Sequence, residues 1–201
     1  MLERIARVGL WLLCLVPFVV LVYALVQAQL GPDPAERIMH VTGEWALRFL
    51  LCTLLISPLR LWTGWAFLMK LRRMLGLYSF FYACVHLLCF AHFFLGWTWV
   101  ILVEELLERP YITAGFSAWL LMLPLALTST RAMQRRLRKN WGRLHRAIYI
   151  AALCASVHLI WQSRSDIGEA LLYSVIIFAL LAWRVWRYFK RQRAVASPAQ
   201  A

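Results

Sequence analysis

Six long apolar runs decide what this chain can fold into. They cover residues from about Val8 to Leu30, Trp45 to Trp62, Met74 to Leu95, Ile112 to Thr128, Leu144 to Trp161 and Ala170 to Trp186. Each approaches the ~20 residues that an α-helix needs to cross ~30 Å of hydrocarbon. Backbone amides find no water there, so helices are the conformation that satisfies them. The period-2 alternation of a membrane barrel is absent. The first run is longer than the core of a signal peptide, which makes it a retained helix. Hydrophobic residues make up 63% of the 201 positions and charged ones 15%, a surplus that a soluble globule of this size could not bury. Disordered, collagen-like and disulfide-scaffold classes fail on the same composition. The expected fold is an all-α membrane protein, a six-transmembrane-helix bundle. Residues 1–190 form its single domain, and 191–201 a short, basic, disordered tail.

A formal charge of +13 suggests nucleic acid at first sight. The basic residues, however, sit in short clusters between the apolar runs, which is how membrane topology is encoded. Eighteen of the 22 Lys and Arg, including the cluster from Arg131 to Arg146, fall on one side of the six spans. The opposite side carries Arg37, Arg48, Arg109 and Arg164 together with eight of the nine acids. Positive loops stay inside, so both termini are expected in the cytoplasm, with no role in binding nucleic acid. No internal repeat or low-complexity segment is evident, and no connection is long enough for a soluble domain.

Histidine carries the chemical signal. Ionisable residues inside a bilayer are rare and usually face the bundle interior; a neutral His that bridges two helices is the plain alternative. His86 follows Met74 in the third run, and His158 follows Leu144 in the fifth. Both runs travel from inside to outside, and helical rise puts the two imidazoles at depths of about 18 and about 21 Å. Matching depth on two helices is what the axial pair of one b-type haem requires. His145 opens the same run that holds His158, and on one continuous helix its ring would point about 140° away. It is expected at the inner surface, at a second haem or at a flavin or quinone site, or as a plain interfacial residue. His92 is about 120° around the helix from His86 and is expected to serve packing. His40, Glu44 and Arg48 recur at four-residue spacing entering the second run; they would anchor a haem propionate or partner, or form an interfacial ion pair. Glu104, Glu105 and Glu108 read as a solvated acidic loop. Five cysteines within apolar runs read as small hydrophobes. Motifs of soluble catalysis such as GxSxG, HExxH and the P-loop are missing.

The stretches GPDPAERIMHVTGEWALRFLLCTLLISPLR, RRMLGLYSFFYACVHLL and RPYITAGFSAWLLMLPLALTSTRAMQRRLRKNWGRLHRAIYIAALCASVHLIW resemble the MsrQ family within the ferric-reductase-like transmembrane group. The resemblance runs from about Leu30 to Trp186. It implies haem b, FMN, and functional histidines at His86, His145 and His158. It also implies a bacterial inner-membrane subunit that is no enzyme by itself. Such a subunit passes electrons from the quinone pool or a cytoplasmic flavin reductase to the periplasmic molybdopterin methionine sulfoxide reductase MsrP. Two alternatives stay open on the residues: a free-standing ferric or quinone reductase, and a transporter or scaffold without haem.

Overall fold

A computed structural model describes residues 2–163 and 167–196, with side chains from Val8 to Arg193 across that range. Arg164, Asp166 and the end of the expected tail, 197–201, lie outside the described residues. Among the described residues there are helices and no strands. They are α1 (Leu2–Val26), α2 (Pro34–Thr63), α3 (Leu68–Phe93), α4 (Trp99–Glu108), α5 (Pro110–Leu127), α6 (Arg131–Leu137), α7 (Lys139–Leu144), α8 (Ala147–Gln162) and α9 (Ile167–Ala196). Six segments are long and apolar enough to span a membrane: α1, α2, α3, α5, the α7–α8 stretch and α9.

Several boundaries differ from expectation, each for a local reason. α2 begins at Pro34, well before Trp45, because Asp33 caps it, accepting the Glu36 amide at 2.9 Å, and Pro34 occupies the first turn. His40 therefore lies on the same helix as Glu44 and Arg48. The helix stops at Gly64, whose φ of 74° is left-handed and lets its amide return to the Arg60 carbonyl. The acidic residues Glu104, Glu105 and Glu108 belong to α4 instead of a loop; Leu102 is buried on one side of it, while Trp99, Val103 and Leu107 are exposed. The basic connection is folded into α6 and α7, which meet at Arg138 with a φ of 47°. α9 continues through Ala196, so the first part of the expected tail extends that helix.

α2 is the central element. It packs along α3 on one side and touches α9 on another, while α5 pairs with α8 and also meets α3. One core joins Phe49 and Ile56 of α2 to Tyr78 and Tyr82 of α3 and Cys14 of α1. A second joins Leu47, Leu50 and Leu54 of α2 to Ala152 of α8 and Ile177 of α9. Small residues bring the backbones close: Ser79 donates to the Ala46 carbonyl at 2.7 Å, and Gly76 faces Thr53.

α1 is peripheral, with Leu13 63% and Val26 75% exposed, as lipid-facing residues of a span would be. Two tyrosines of α3 hold it. Tyr78 donates to the Trp11 carbonyl at 2.8 Å. The Tyr82 hydroxyl donates to the Cys14 carbonyl at 2.9 Å and accepts the Phe18 amide at 3.1 Å. That hydroxyl bridges the helical rung beside Pro17, where the proline ring disturbs the ladder and hydrocarbon offers no other partner.

Candidate haem site

A cavity of about 370 Å³ opens among α2, α3, α5, α8 and α9 in the half of the bundle away from the basic connections. His86 of α3 and His158 of α8 both line it. Their ring centres are 6.2 Å apart and their planes stand at 81°. The depth match read from helical rise thus becomes a direct confrontation of two imidazoles.

Each ring is held in the same way. Nδ1 of His86 lies 3.0 Å from the Met39 carbonyl, and Nδ1 of His158 lies 2.7 Å from the Tyr111 carbonyl. A carbonyl only accepts, so each Nδ1 carries the proton and each Nε2 keeps its lone pair. The Thr42 hydroxyl, which donates to the Ile38 carbonyl at 2.7 Å, offers Nδ1 of His86 a second acceptor at 3.2 Å. Histidine ligands of metals typically donate their other ring N–H to such an acceptor, which fixes the tautomer and raises the donor strength of Nε2.

These residues fit a bis-imidazole haem. With metal–nitrogen bonds of about 2 Å and ring nitrogens about 1 Å from each ring centre, two imidazoles on one iron would stand about 6 Å apart. The wall is apolar and aromatic, including Ala83, Phe90, Phe116 and Trp119. Trp119 stacks on Phe116 and donates to Cys84 Sγ at 3.3 Å. Among the described residues no group of three or more His, Cys, Asp or Glu could hold a bare metal ion.

At the rim the expected stripe is largely self-satisfied. Arg48 pairs with Glu44 at 3.0 Å and Glu169 at 3.4 Å, and donates to Tyr173 at 2.9 Å. Glu44, Glu169 and Tyr173 line the cavity, so Arg48 acts behind them. Among the described residues the arginine that lines the cavity is Arg109. The Tyr111 hydroxyl and the Glu105 carboxylate hold its guanidinium above the ordinary arginine value, so it stays charged for any carboxylate arriving there. Met39, Thr42, Arg109 and Tyr111 escaped sequence reasoning, because nothing local marks a carbonyl as a histidine partner.

His92 is exposed at the end of α3, accepting the Trp97 indole N–H at 3.3 Å. It takes no part in the cavity. His145 is also apart from it. It closes α7 rather than sitting on α8, so an angle reckoned along one continuous helix does not apply. Its Nδ1 donates to the Trp141 carbonyl at 3.1 Å, and its ring stacks on Trp141 at 3.9 Å. Its Nε2 is buried near the Leu125 carbonyl, without a hydrogen bond of good geometry.

The two cavity-lining rings also expose an internal correspondence. Each histidine follows its carbonyl partner by 47 positions. Ala83-Cys84-Val85-His86-Leu87-Leu88 matches Ala155-Ser156-Val157-His158-Leu159-Ile160 in register. The sequence therefore does contain a repeated element, too short to stand out until the helices are paired.

The family described as ferric reductase like transmembrane component matches residues 42–156, a segment that contains His86 and His145 and ends just before His158. The chain is 54% identical to the protein-methionine-sulfoxide reductase heme-binding subunit MsrQ of Xanthomonas euvesicatoria pv. vesicatoria, over 83% of this chain and 77% of that one. The chain belongs to the MsrQ family. An MsrQ from Xanthomonas oryzae pv. oryzae is 53% identical over 86% of this chain and 80% of its own length. One from Ralstonia nicotianae is 41% identical over 98% and 93%. No solved structure matches.

Proposed function

We propose that this chain is a haem b electron-transfer subunit of the bacterial inner membrane. In this reading it accepts electrons from the quinone pool or a cytoplasmic flavin reductase and delivers them to a periplasmic molybdopterin methionine sulfoxide reductase, MsrP. The carrying observation is the pair of carbonyl-anchored imidazoles facing each other 6.2 Å apart across one cavity. The names of the relatives, heme-binding subunits of a protein-methionine-sulfoxide reductase, support the same reading.

His86 and His158 would hold the iron through Nε2, and haem bound there supplies a one-electron couple within the bilayer. Met39 and Tyr111 keep the Nδ1 protons in place, so the two Nε2 lone pairs would need no reorganisation as charge changes. Phe90, Phe116 and Trp119 would exclude water, and Arg109 would hold a carboxylate of the bound group. The cavity opens away from the basic connections, so by the positive-inside rule it would lie on the periplasmic side, near the proposed acceptor. At the cytoplasmic end, His145 with its Nε2 among basic residues would hold a second group, either a further haem or FMN. Reduction of the sulfoxide belongs to the partner.

The test is a pyridine haemochrome and iron assay on the chain purified in detergent, with flavin measured alongside and a tagged MsrP tested for co-purification. A Soret band with at least one haem per chain is expected. Purified chain with neither iron nor Soret absorbance ends the proposal.

A further inference from the structure

Gly43 and Gly115 share a relationship that neither shows alone. Each lies one helical turn after the carbonyl that accepts a histidine Nδ1–H: Met39 before Gly43, Tyr111 before Gly115. In an α-helix the carbonyl of residue i already accepts the amide of i+4, and the Cβ of i+4 leans back toward it. A glycine at i+4 leaves the second lone pair of that carbonyl open to a neighbouring side chain. The rings use that opening. A Cβ added at Gly43 would lie 3.1 Å from His86 Cε1 and 3.2 Å from its Nδ1. At Gly115 it would lie 2.7 Å from His158 Nδ1 and 3.0 Å from Cγ. Neither glycine has a positive φ, so backbone freedom is not the reason for the residue type. The need is space against an imidazole.

We infer that Gly43 and Gly115 are paired positioning residues, each a seat that fixes the tilt and Nδ1 hydrogen bond of one axial histidine and so sets the near-perpendicular arrangement and the potential of the haem. The inference rests on the haem reading above and deepens it. Met39, Gly43 and His86 recur as Tyr111, Gly115 and His158 with the same spacing between them, so α2–α3 and α5–α8 supply equivalent half-sites.

Two physical consequences separate a seat from simple packing. Perpendicular imidazole planes leave the iron dπ orbitals nearly degenerate, which gives ferric low-spin haem a strongly anisotropic EPR signal with a large gmax. Rotating either ring from 81° toward its partner's plane lowers gmax. Weakening an Nδ1–H···O=C bond makes the imidazole a poorer donor to ferric iron, so the midpoint potential rises.

The experiment compares the full chain in detergent with Gly43→Ala, Gly115→Ala and Gly76→Ala, by EPR and potentiometric titration. Gly76 serves as control, since a Cβ there meets only Thr53 at ordinary contact distance, 3.6 Å. Gly43→Ala is expected to keep haem with a lower gmax and a raised potential. Gly115→Ala, the tighter seat, is expected to shift further or lose part of its low-spin signal. Gly76→Ala should coincide with the parent chain. If Gly115→Ala does not accumulate, Gly43→Ala decides. Haem-bound Gly43→Ala with the parent's gmax and potential overturns the seats while leaving the haem reading intact; a parent chain without haem removes both.

Discussion

The imidazole planes of His86 and His158 stand at 81° with 6.2 Å between their centres, and each ring is pinned through Nδ1 to a carbonyl on a different neighbouring helix. Two helix pairs, α2–α3 and α5–α8, thus bring one imidazole each to the same cavity. A ring tied only to its own helix could turn about its side-chain torsions. One tied to a neighbouring backbone is preorganised, and small movements of the helix pair pass directly to its Nε2.

Removing either axial ring should be as damaging as removing both. His86→Ala and His158→Ala are each expected to lower haem content at least about a hundredfold, the upper end of the loss typical of an outer partner, with little further loss in the double variant. His92→Ala, at a residue whose ring meets Phe93 and Trp97 outside the cavity, should retain haem. Haemochrome stoichiometry on the purified variants checks this.

Thr42 is fully buried and shares the Nδ1 proton of His86. Thr42→Val removes that acceptor while Met39 remains. Thermal unfolding in detergent should show a loss of about 1 kcal/mol, accompanied by a small rise in haem potential. A stability loss with an unchanged potential would show that the hydroxyl serves packing alone.

Tyr82 tests how α1 is attached. Tyr82→Phe strips the hydroxyl from the Cys14 carbonyl and the Phe18 amide, where lipid gives no replacement. A cost of about 2 kcal/mol is expected, with haem retained and α1 more readily cleaved in limited proteolysis. Haem loss in this variant would mean that α1 contributes to the cavity.

Arg48 and Arg109 should behave differently. Arg48→Met leaves Glu44 and Glu169 without their shared cation; because these side chains are substantially exposed, the cost is held to about 1 kcal/mol. Arg109→Gln should leave the melting temperature unchanged and accelerate haem transfer to apomyoglobin, since it removes a cation that lines the cavity. Equal transfer rates for the parent and Arg109→Gln would exclude a carboxylate contact.

His145→Ala should leave the haem of His86 and His158 in place and remove only a second bound group. Difference spectra with flavin analysis of the variant read this directly. Complete loss of haem would tie His145 to the first site, contrary to its separation from the cavity.

Much of the architecture was legible along the chain because hydrocarbon imposes a one-dimensional test. A run such as Met74–Leu95 is apolar enough to span or it is not, and its neighbours hardly alter the answer. Depth was legible for the same reason: a constant rise of about 1.5 Å per residue places His86 and His158 at one level before any packing is known. The early start of α2 also had a local signal, Asp33 followed by Pro34, which hydropathy alone does not register.

Rotation about each helix axis, and the choice of neighbour, have no such local rule. Whether His86 meets Met39, whether His145 closes α7 or begins α8, and which of Arg48 and Arg109 reaches the cavity all follow from how six spans pack sideways. That packing is settled by small contacts among many residues, Ser79 on Ala46 and His158 over Gly115 among them. Hydropathy is summed along one helix and sets its depth. The seats of the two imidazoles are made by pairs of helices, so they exist only once the bundle has closed.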